Sequence, residues 1–223
     1  MNVLLVGTED NKLLFEEKFS GLHQVHLMKA DDAEFPILQP DVVFHFRGGQ
    51  HLSEVLEDFD CPVFVECFSH TLAELLYVNE ARSASQPIIG FCGLAGLFSR
   101  DIMEVCVTRE KDLEALPAIF KWLNTDFEVV EDRVGLVTPR ILLMIINEAF
   151  YTVQEGVATK SEIDIAMKTG TNYPYGPFEW VRIFGIEVVY VLMESIYEAT
   201  KNERYRPCEL LTRTFFQDSG YDW

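Results

Sequence analysis

The segment that decides the fold runs from Asp132 to Trp180 and reads DRVGLVTPRILLMIINEAFYTVQEGVATKSEIDIAMKTGTNYPYGPFEW. Pro139 suits the first turn of a helix, and apolar residues then surround that helix on most sides through Val153. A helix that is apolar all round is buried, either in a core or in a subunit interface. The segment therefore opens a helical domain, and we predict two domains, residues 1–131 and residues 132–223.

Three further helices are predicted after Gly156, which ends the first one. Ser161, followed by acidic residues, is a plausible N-cap for a short helix that reaches about Lys168. A longer helix is expected from Phe178 toward Ala199 with a local break near Gly185, and a last one after Pro207. The second domain is therefore all-α.

The N-terminal half has a different pattern, in which short apolar runs alternate with helix-like segments. Such alternation predicts an open parallel α/β sheet. The predicted strands are Asn2–Val6, Gln24–Met28, Val42–Phe46, Val63–Glu66, Ile88–Cys92, Ile102–Thr108 and Phe127–Glu131. The predicted helices between them are Leu13–Phe19, Leu52–Phe59, Leu72–Asn79 and Lys111–Asn124.

Composition and charge limit the partners that the protein can have. The chain has 223 residues, 48% of them hydrophobic, and a formal net charge of −18. Residues 1–131 carry 23 Asp/Glu against 9 Lys/Arg, so the field repels nucleic acid, anionic membranes and phosphate groups. We expect no nucleic-acid and no membrane partner. Five cysteines without a CxxC pair and an N-terminus without a leader indicate reduced thiols and a cytoplasmic protein.

Several short motifs are spaced along the C-terminal half. They are Asn147–Ala149, Glu155–Val157, Ile163–Met167, Pro174–Phe178 and Arg204–Pro207. Together they closely resemble the helical C-terminal domain of the 3-hydroxyacyl-CoA dehydrogenases, including 3-hydroxybutyryl-CoA dehydrogenase. The resemblance implies a dimer interface in this domain. It also implies NAD-dependent oxidation of 3-hydroxyacyl-CoA in fatty acid metabolism, with an acyl-CoA or another small ligand in an interdomain cleft.

The resemblance extends more weakly to the N-terminal half, which implies a shortened Rossmann-like domain. Ile88–Val105 is similar to the family segment in which a histidine acts as the base and a glutamate twelve residues later orients it. Glu104 stands at the glutamate position and Cys92 at the histidine position, while Ser69 matches a substrate-contacting serine. A thiol beside a carboxylate is discouraged from ionising, so Cys92 is expected to be a poor base near neutral pH.

The cofactor motif is also altered. A dinucleotide fingerprint needs G-x-G-x-x-G, so that the backbone can approach the diphosphate at a helix N-terminus. Here only Gly7 remains, followed by Thr8, Glu9, Asp10 and Asn11. The half is shorter than the family's, with the deficit between Met28 and Asp41. We expect no cofactor, and NAD only if the family activity persists; the histidine spacing predicts no metal site.

The sequence favours a degenerate homologue, a pseudoenzyme with a binding or assembly role that forms a homodimer through its helical domain. Two alternatives stay open. One is an active enzyme with altered chemistry, in which Glu104 or Cys92, with His70 as a base, acts on an acyl-CoA or related carbonyl compound. The other is a subunit that lends its helical domain to an intact paralogue.

Overall fold

The computed structural model describes residues 1–19, 21, 23–29, 39–46 and 52–217. Most of the segment to which the sequence assigned the shortening, residues 30–38, lies outside the described residues, as does His51. The chain divides into two compact units, Met1–Leu136 and Val137–Trp223. No helix within the described ranges is long and apolar enough to cross a bilayer.

The first unit is built on one seven-stranded sheet in the order β2-β1-β3-β4-β5-β6-β7. Each strand coincides with a predicted apolar run, to within a few residues at its ends. The strands are β1 (Asn2–Val6), β2 (Gln24–Met28), β3 (Val42–His45), β4 (Val63–Glu66), β5 (Ile88–Phe91), β6 (Ile102–Cys106) and β7 (Asp126–Val129). The helices of this unit are α1 (Glu9–Phe19), α2 (Leu52–Asp58), α3 (Leu72–Val78) and α4 (Glu110–Leu123).

The direction of β6 departs from the parallel sheet that the sequence predicts. β6 pairs with β5 in the antiparallel direction, with Gly90 opposite Cys106 and Phe91 opposite Val105, while all other pairs are parallel. A parallel connection needs a crossover, usually a helix. Residues 92–101 form only turns and irregular backbone, so the chain reverses direction there.

Aromatic side chains fill one face of this sheet. The Phe44 and Phe64 rings stack with their centroids 4.4 Å apart, and the Phe98 ring packs against Phe46 and Phe91 at 5.3 and 5.6 Å. Buried residues of α1 and α4, among them Phe15 and Leu116, complete this cluster. The segment after β5 is therefore held on the sheet by Phe98, which fixes the backbone at the end of that strand.

The second unit is all-α, as predicted. Its helices are α5 (Thr138–Gln154), α6 (Lys160–Thr171), α7 (Pro177–Phe184), α8 (Ile186–Thr200) and α9 (Glu209–Gln217). Thr159, not the predicted Ser161, caps α6, because its side chain and that of Glu162 each accept the other residue's amide. The predicted break near Gly185 separates α7 from α8, and this glycine has a φ of 85°.

Candidate functional site

The turn between β1 and α1 carries the altered cofactor motif. The backbone N–H of Thr8 donates to Asn11 Oδ1 at 2.9 Å, and the backbone N–H of Asn11 donates to Thr8 Oγ1 at 3.2 Å. A Cβ atom added to Gly7 would lie 2.8 Å from Asn11 Oδ1. The Asn11 side chain therefore covers Gly7, and two amides of the turn are hydrogen-bonded within the turn itself.

Two carboxylates follow in the first turn of α1. Glu9 and Asp10 are exposed, and Lys29 lies 3.0 Å from Glu9. Acidic residues stabilise a helix N-terminus through its dipole, and they occupy the electrostatic position that a bound anion would use. The N-terminus of α1 is thus stabilised by side chains of this chain: Thr8 and Asn11 form its hydrogen bonds, and Glu9 and Asp10 supply negative charge.

A second group of side chains lies on or next to the inner strands β4, β5 and β6. It comprises Glu66, Cys92, Arg100 and Glu104. The antiparallel register of β5 and β6, continued by one residue, places Cys92 opposite Glu104. Strand pairing therefore accounts for the spacing of twelve between these two positions. Cys92 is 8% exposed, and Arg100 Nη1 lies 3.9 Å from Glu104 Oε1.

The Cys92 thiol is held in its protonated form. Burial raises its pKa well above the usual range, and Glu66 and Glu104 raise it further, whereas the Leu94 amide and Arg100 act in the opposite direction. Thiols react as thiolates, so a buried thiol with a raised pKa is a weak nucleophile and a weak base at neutral pH.

Glu66, the last residue of β4, is a site residue that the sequence analysis did not single out. Its side chain is half-buried, and desolvation raises its pKa to about 8. A Cβ atom added to Gly93 would lie 2.2 Å from Glu66 Oε1 and 2.8 Å from the Phe46 ring. The carboxyl group therefore lies directly on the Gly93 backbone. No local pattern could have revealed this, because it depends on a glycine 27 residues later in the chain.

Ser69 and His70 lie between β4 and α3. Ser69 Oγ and His70 Nδ1 are 3.1 Å apart, and the His70 side chain is exposed. The structure thus pairs His70 with Ser69, whereas the charged groups that act on the Cys92 thiol are Glu66, Glu104 and Arg100.

Two more thiols lie beneath the same strand ends. Cys67 Sγ and Cys106 Sγ are 3.6 Å apart, and the Cys106 thiol donates to Asp132 Oδ1 at 3.6 Å. Asp132 also accepts the amides of Leu72 and Ala73 at 2.7 and 2.9 Å, which caps α3. Within the part of the chain that the structure describes, no group of three or more His, Cys, Asp and Glu residues is arranged to hold a metal ion.

Comparisons with known proteins relate the C-terminal half of the chain to one family of enzymes. Residues 135–219 match the model of the 3-hydroxyacyl-CoA dehydrogenase C-terminal domain. The chain is 42% identical over 93 residues to a 3-hydroxyadipyl-CoA dehydrogenase of Escherichia coli, which is 42% of this chain and 20% of that protein. It is 34% identical over 113 residues to a 3-hydroxybutyryl-CoA dehydrogenase of Bradyrhizobium diazoefficiens, which is 51% of this chain and 39% of that protein. The chain therefore matches less than half of the length of each of these two relatives.

The fold is similar over almost the whole chain. The crystal structure of (S)-3-hydroxybutyryl-CoA dehydrogenase from Ralstonia eutropha superposes with a TM-score of 0.77 at 21% identity, covering 97% of this chain and 93% of that one. The two units thus have the fold of that structure, a Rossmann-like sheet unit followed in the chain by a helical unit. Residues 135–219 therefore match a 3-hydroxyacyl-CoA dehydrogenase C-terminal domain both in sequence and in their all-α fold.

Proposed function

We propose that this protein binds an acyl thioester or a related small carbonyl compound without using a nicotinamide coenzyme, and that it has a binding or assembly role. The observation that carries the proposal is the Asn11 side chain, which covers Gly7 and accepts the Thr8 amide. A dinucleotide diphosphate needs a close backbone approach and available amides at this helix end. Glu9 and Asp10 add electrostatic repulsion to the steric obstruction.

The Cys92 position supports the same proposal. The resemblance implies that a dehydrogenase has a base here that takes the hydroxyl proton, and general acid–base catalysis typically contributes about 10²–10⁴-fold in rate. A thiol whose pKa is raised by burial and by two carboxyl groups does not accept a proton in this way at neutral pH. Conventional dehydrogenation is therefore expected to be absent or very slow.

The test is a titration of the purified protein with NADH, followed by an assay with NADH and acetoacetyl-CoA. We expect no change in NADH fluorescence up to millimolar concentrations and no turnover. The matched control is the triple variant Glu9→Gly, Asp10→Ala, Asn11→Ala, in which the turn is open and uncharged and NADH binding is expected to become measurable. Saturable NADH binding by the wild-type protein, or turnover at ordinary enzyme rates, would contradict the proposal.

The assembly role rests on the exposed apolar surface of the helical unit. Ile141 on α5, Ile165 on α6, Val191 on α8 and Phe216 on α9 are 53, 57, 45 and 73% exposed. Exposed apolar side chains can mediate association, and closed homodimers are the commonest oligomers. We propose a homodimer formed through this unit. In light scattering at micromolar concentration we expect the mass of a dimer, and the mass of a monomer would contradict the proposal. Co-purification of a longer dehydrogenase chain would favour the paralogue alternative.

A second candidate function is an enzyme with altered chemistry on an acyl-CoA or related carbonyl compound. It is favoured by the presence of two carboxyl groups, Glu66 and Glu104, that both act on Cys92. The distinguishing assay is the consumption of acetoacetyl-CoA without any nucleotide, measured as released thiol. Activity that is lost in Glu104→Gln or Cys92→Ser would establish this alternative, and its absence would leave the binding role.

A further inference from the structure

A groove opens on the face of the sheet that α1 and α4 cover. It lies where both helices end, beside the first residues of β6 and β7, and has a volume of about 750 Å³. Clefts of roughly 300–1,000 Å³ are typical of small-molecule sites. The residues that line the groove belong to the first unit, so its shape is set within that unit.

The groove is separate from the two places at which the sequence predicts chemistry. Lys18, which lines it, is in the last turn of the 11-residue helix α1, so roughly 14 Å of helix separate the groove from the β1–α1 turn. On β6, Met103 and Val105 belong to the core under α1 and α4. Because side chains alternate along a strand, Glu104 points to the opposite face of the sheet.

Positive charge gathers in this groove although the N-terminal half is acidic, with 9 Lys/Arg against 23 Asp/Glu. Lys18, Arg100 and Lys121 line the groove. They are opposed there by two carboxylates, Asp101 and Asp126. The lining therefore has one more cation than carboxylate groups, which makes the groove a place where an anion is attracted to an otherwise repelling unit.

The Lys18 ammonium group is the least solvated of these cations. A lysine in the last turn of a helix ordinarily complements the helix dipole from solvent. Lys18 is instead half-buried: its Nζ donates to Arg100 O at 2.5 Å and lies 5.5 and 5.9 Å from the ring centroids of Phe19 and Phe98. Burial lowers the pKa of Lys18, whereas Asp101 raises it.

This partial burial leaves the Lys18 charge without a close counter-ion. The ion pairs within the described part of the chain do not include Lys18. An ammonium group has three donors, and Arg100 O accepts from one of them. Buried charge is costly unless it is paired, so an anion in the groove would compensate the hydration that Lys18 has lost.

Apolar side chains form the rest of the lining. Pro117 is exposed and Phe127 is half-buried, so both present apolar surface to the groove. The Phe127 ring is held by Phe120, with the ring centroids 4.4 Å apart. A compact inorganic anion would leave this surface uncovered, whereas an anion with a flat apolar body covers it.

We propose that the groove between the ends of α1 and α4 binds a small organic monoanion, a carboxylate with a flat apolar body, whose charge pairs with Lys18 and Lys121. Asp101 and Asp126 on the same lining disfavour a dianion such as a phosphate monoester. The inference does not depend on the proposed function, because the groove lies away from the β1–α1 turn and from the face that carries Glu104.

The experiment compares benzoate with its neutral analogue benzyl alcohol, using ligand-observed NMR at pH 7.5 and low ionic strength. We expect benzoate to bind the wild-type protein with a Kd of about 1 mM or tighter, and benzyl alcohol to bind at least about tenfold more weakly. Benzoate binding that does not saturate up to about 10 mM, or equal affinities for the two compounds, would overturn the inference.

Two variants test whether benzoate occupies this groove. Lys18→Gln keeps a donor but removes the charge, and we expect it to lower benzoate affinity about tenfold. Lys121→Gln removes an exposed charge and should lower the affinity about two- to fivefold. The matched control is Lys12→Gln, which removes a lysine of α1 outside the groove and should change the affinity by less than about twofold.

Far-UV circular dichroism checks that each variant is folded. If Lys18→Gln binds benzoate as tightly as Lys12→Gln, the groove is not the site and the inference is wrong. Should Lys18→Gln fail to fold, the comparison of Lys121→Gln with Lys12→Gln decides in the same way, because both positions lie on the surface.

Discussion

The sulfur atoms of Cys67 and Cys106 lie 3.6 Å apart over the α-carbon of Gly90. Cys67 follows β4 and Cys106 ends β6, so β5 runs between them, and only a residue without a side chain leaves room for both thiols. Both cysteines are free thiols. The pair is therefore a packing contact with a weak S–H hydrogen bond.

Gly90→Ala is expected to destabilise the protein by about 1–3 kcal/mol, because the new Cβ would lie 2.4 Å from Cys106 Sγ and 2.6 Å from Cys67 Sγ. Urea unfolding measures the change. The matched control is Gly170→Ala in α6, where a Cβ meets nothing within 4 Å and helix propensity predicts a gain of about 0.5–1 kcal/mol. If both substitutions had the same effect, the thiol contact would not be the cause.

Glu66→Gln is expected to stabilise the protein increasingly as the pH rises. The Glu66 pKa is raised in the folded state to about 8, so its protonated form favours folding, and that contribution is lost between about pH 4.5 and pH 8. The difference between the variant and the wild-type protein should grow by up to about 1.4 kcal/mol per pH unit in this window and stay constant above it. Urea unfolding at pH 5, 7 and 9 tests the slope, and a constant difference would contradict it.

The cysteines are expected to differ in their rates of alkylation. Cys61 is half-buried and burial raises its pKa to about 11, whereas Cys67, Cys92, Cys106 and Cys208 are buried. We expect iodoacetamide at pH 7.5 to modify Cys61 slowly and the others only on unfolding, as mapped by mass spectrometry. Cys61→Ser is the control that removes the slow phase. Fast, selective modification of Cys92 would instead support the alternative in which Cys92 takes part in an altered chemistry.

Asn11→Ala is expected to cost about 1 kcal/mol of stability, because it removes the acceptor of the Thr8 amide at the start of α1. The neighbouring variant Lys12→Ala serves as the control, since it removes only an exposed ion pair of 3.8 Å to Glu16, which is expected to change stability by less than about 0.5 kcal/mol. Thermal unfolding of both variants gives the comparison. Equal losses would mean that the turn does not depend on the Asn11 side chain.

Much of the fold follows from local sequence patterns. The continuous apolar runs of the first unit predict its strands, and the glycine at 185 predicts the break between α7 and α8. The direction of β6 could not be predicted in this way, because a strand has the same apolar pattern whether it runs parallel or antiparallel to its neighbour. The direction is decided by the connection after β5, which contains no crossover helix. The helix α1 begins at Glu9, four residues before the predicted Leu13, since the Thr8 and Asn11 side chains cap it.

The candidate site likewise contains residues that could be predicted from the sequence and one that could not. The family resemblance paired Cys92 with Glu104, and the structure explains their spacing of twelve by strand pairing. Glu66 could not be found, although Val63–Glu66 was a predicted strand, because a polar residue at a strand end is unremarkable. Its surroundings come from Gly93 and Phe46, and such contacts between distant parts of the chain leave no local pattern.

The cap on α1 also bears on how the protein depends on its surroundings. Many nucleotide-binding folds leave helix-end amides to be satisfied by a phosphate and gain stability when the metabolite is present. Here Thr8 and Asn11 supply those bonds from within the chain. Folding and abundance of this protein should therefore be insensitive to the size of the cellular nicotinamide pool.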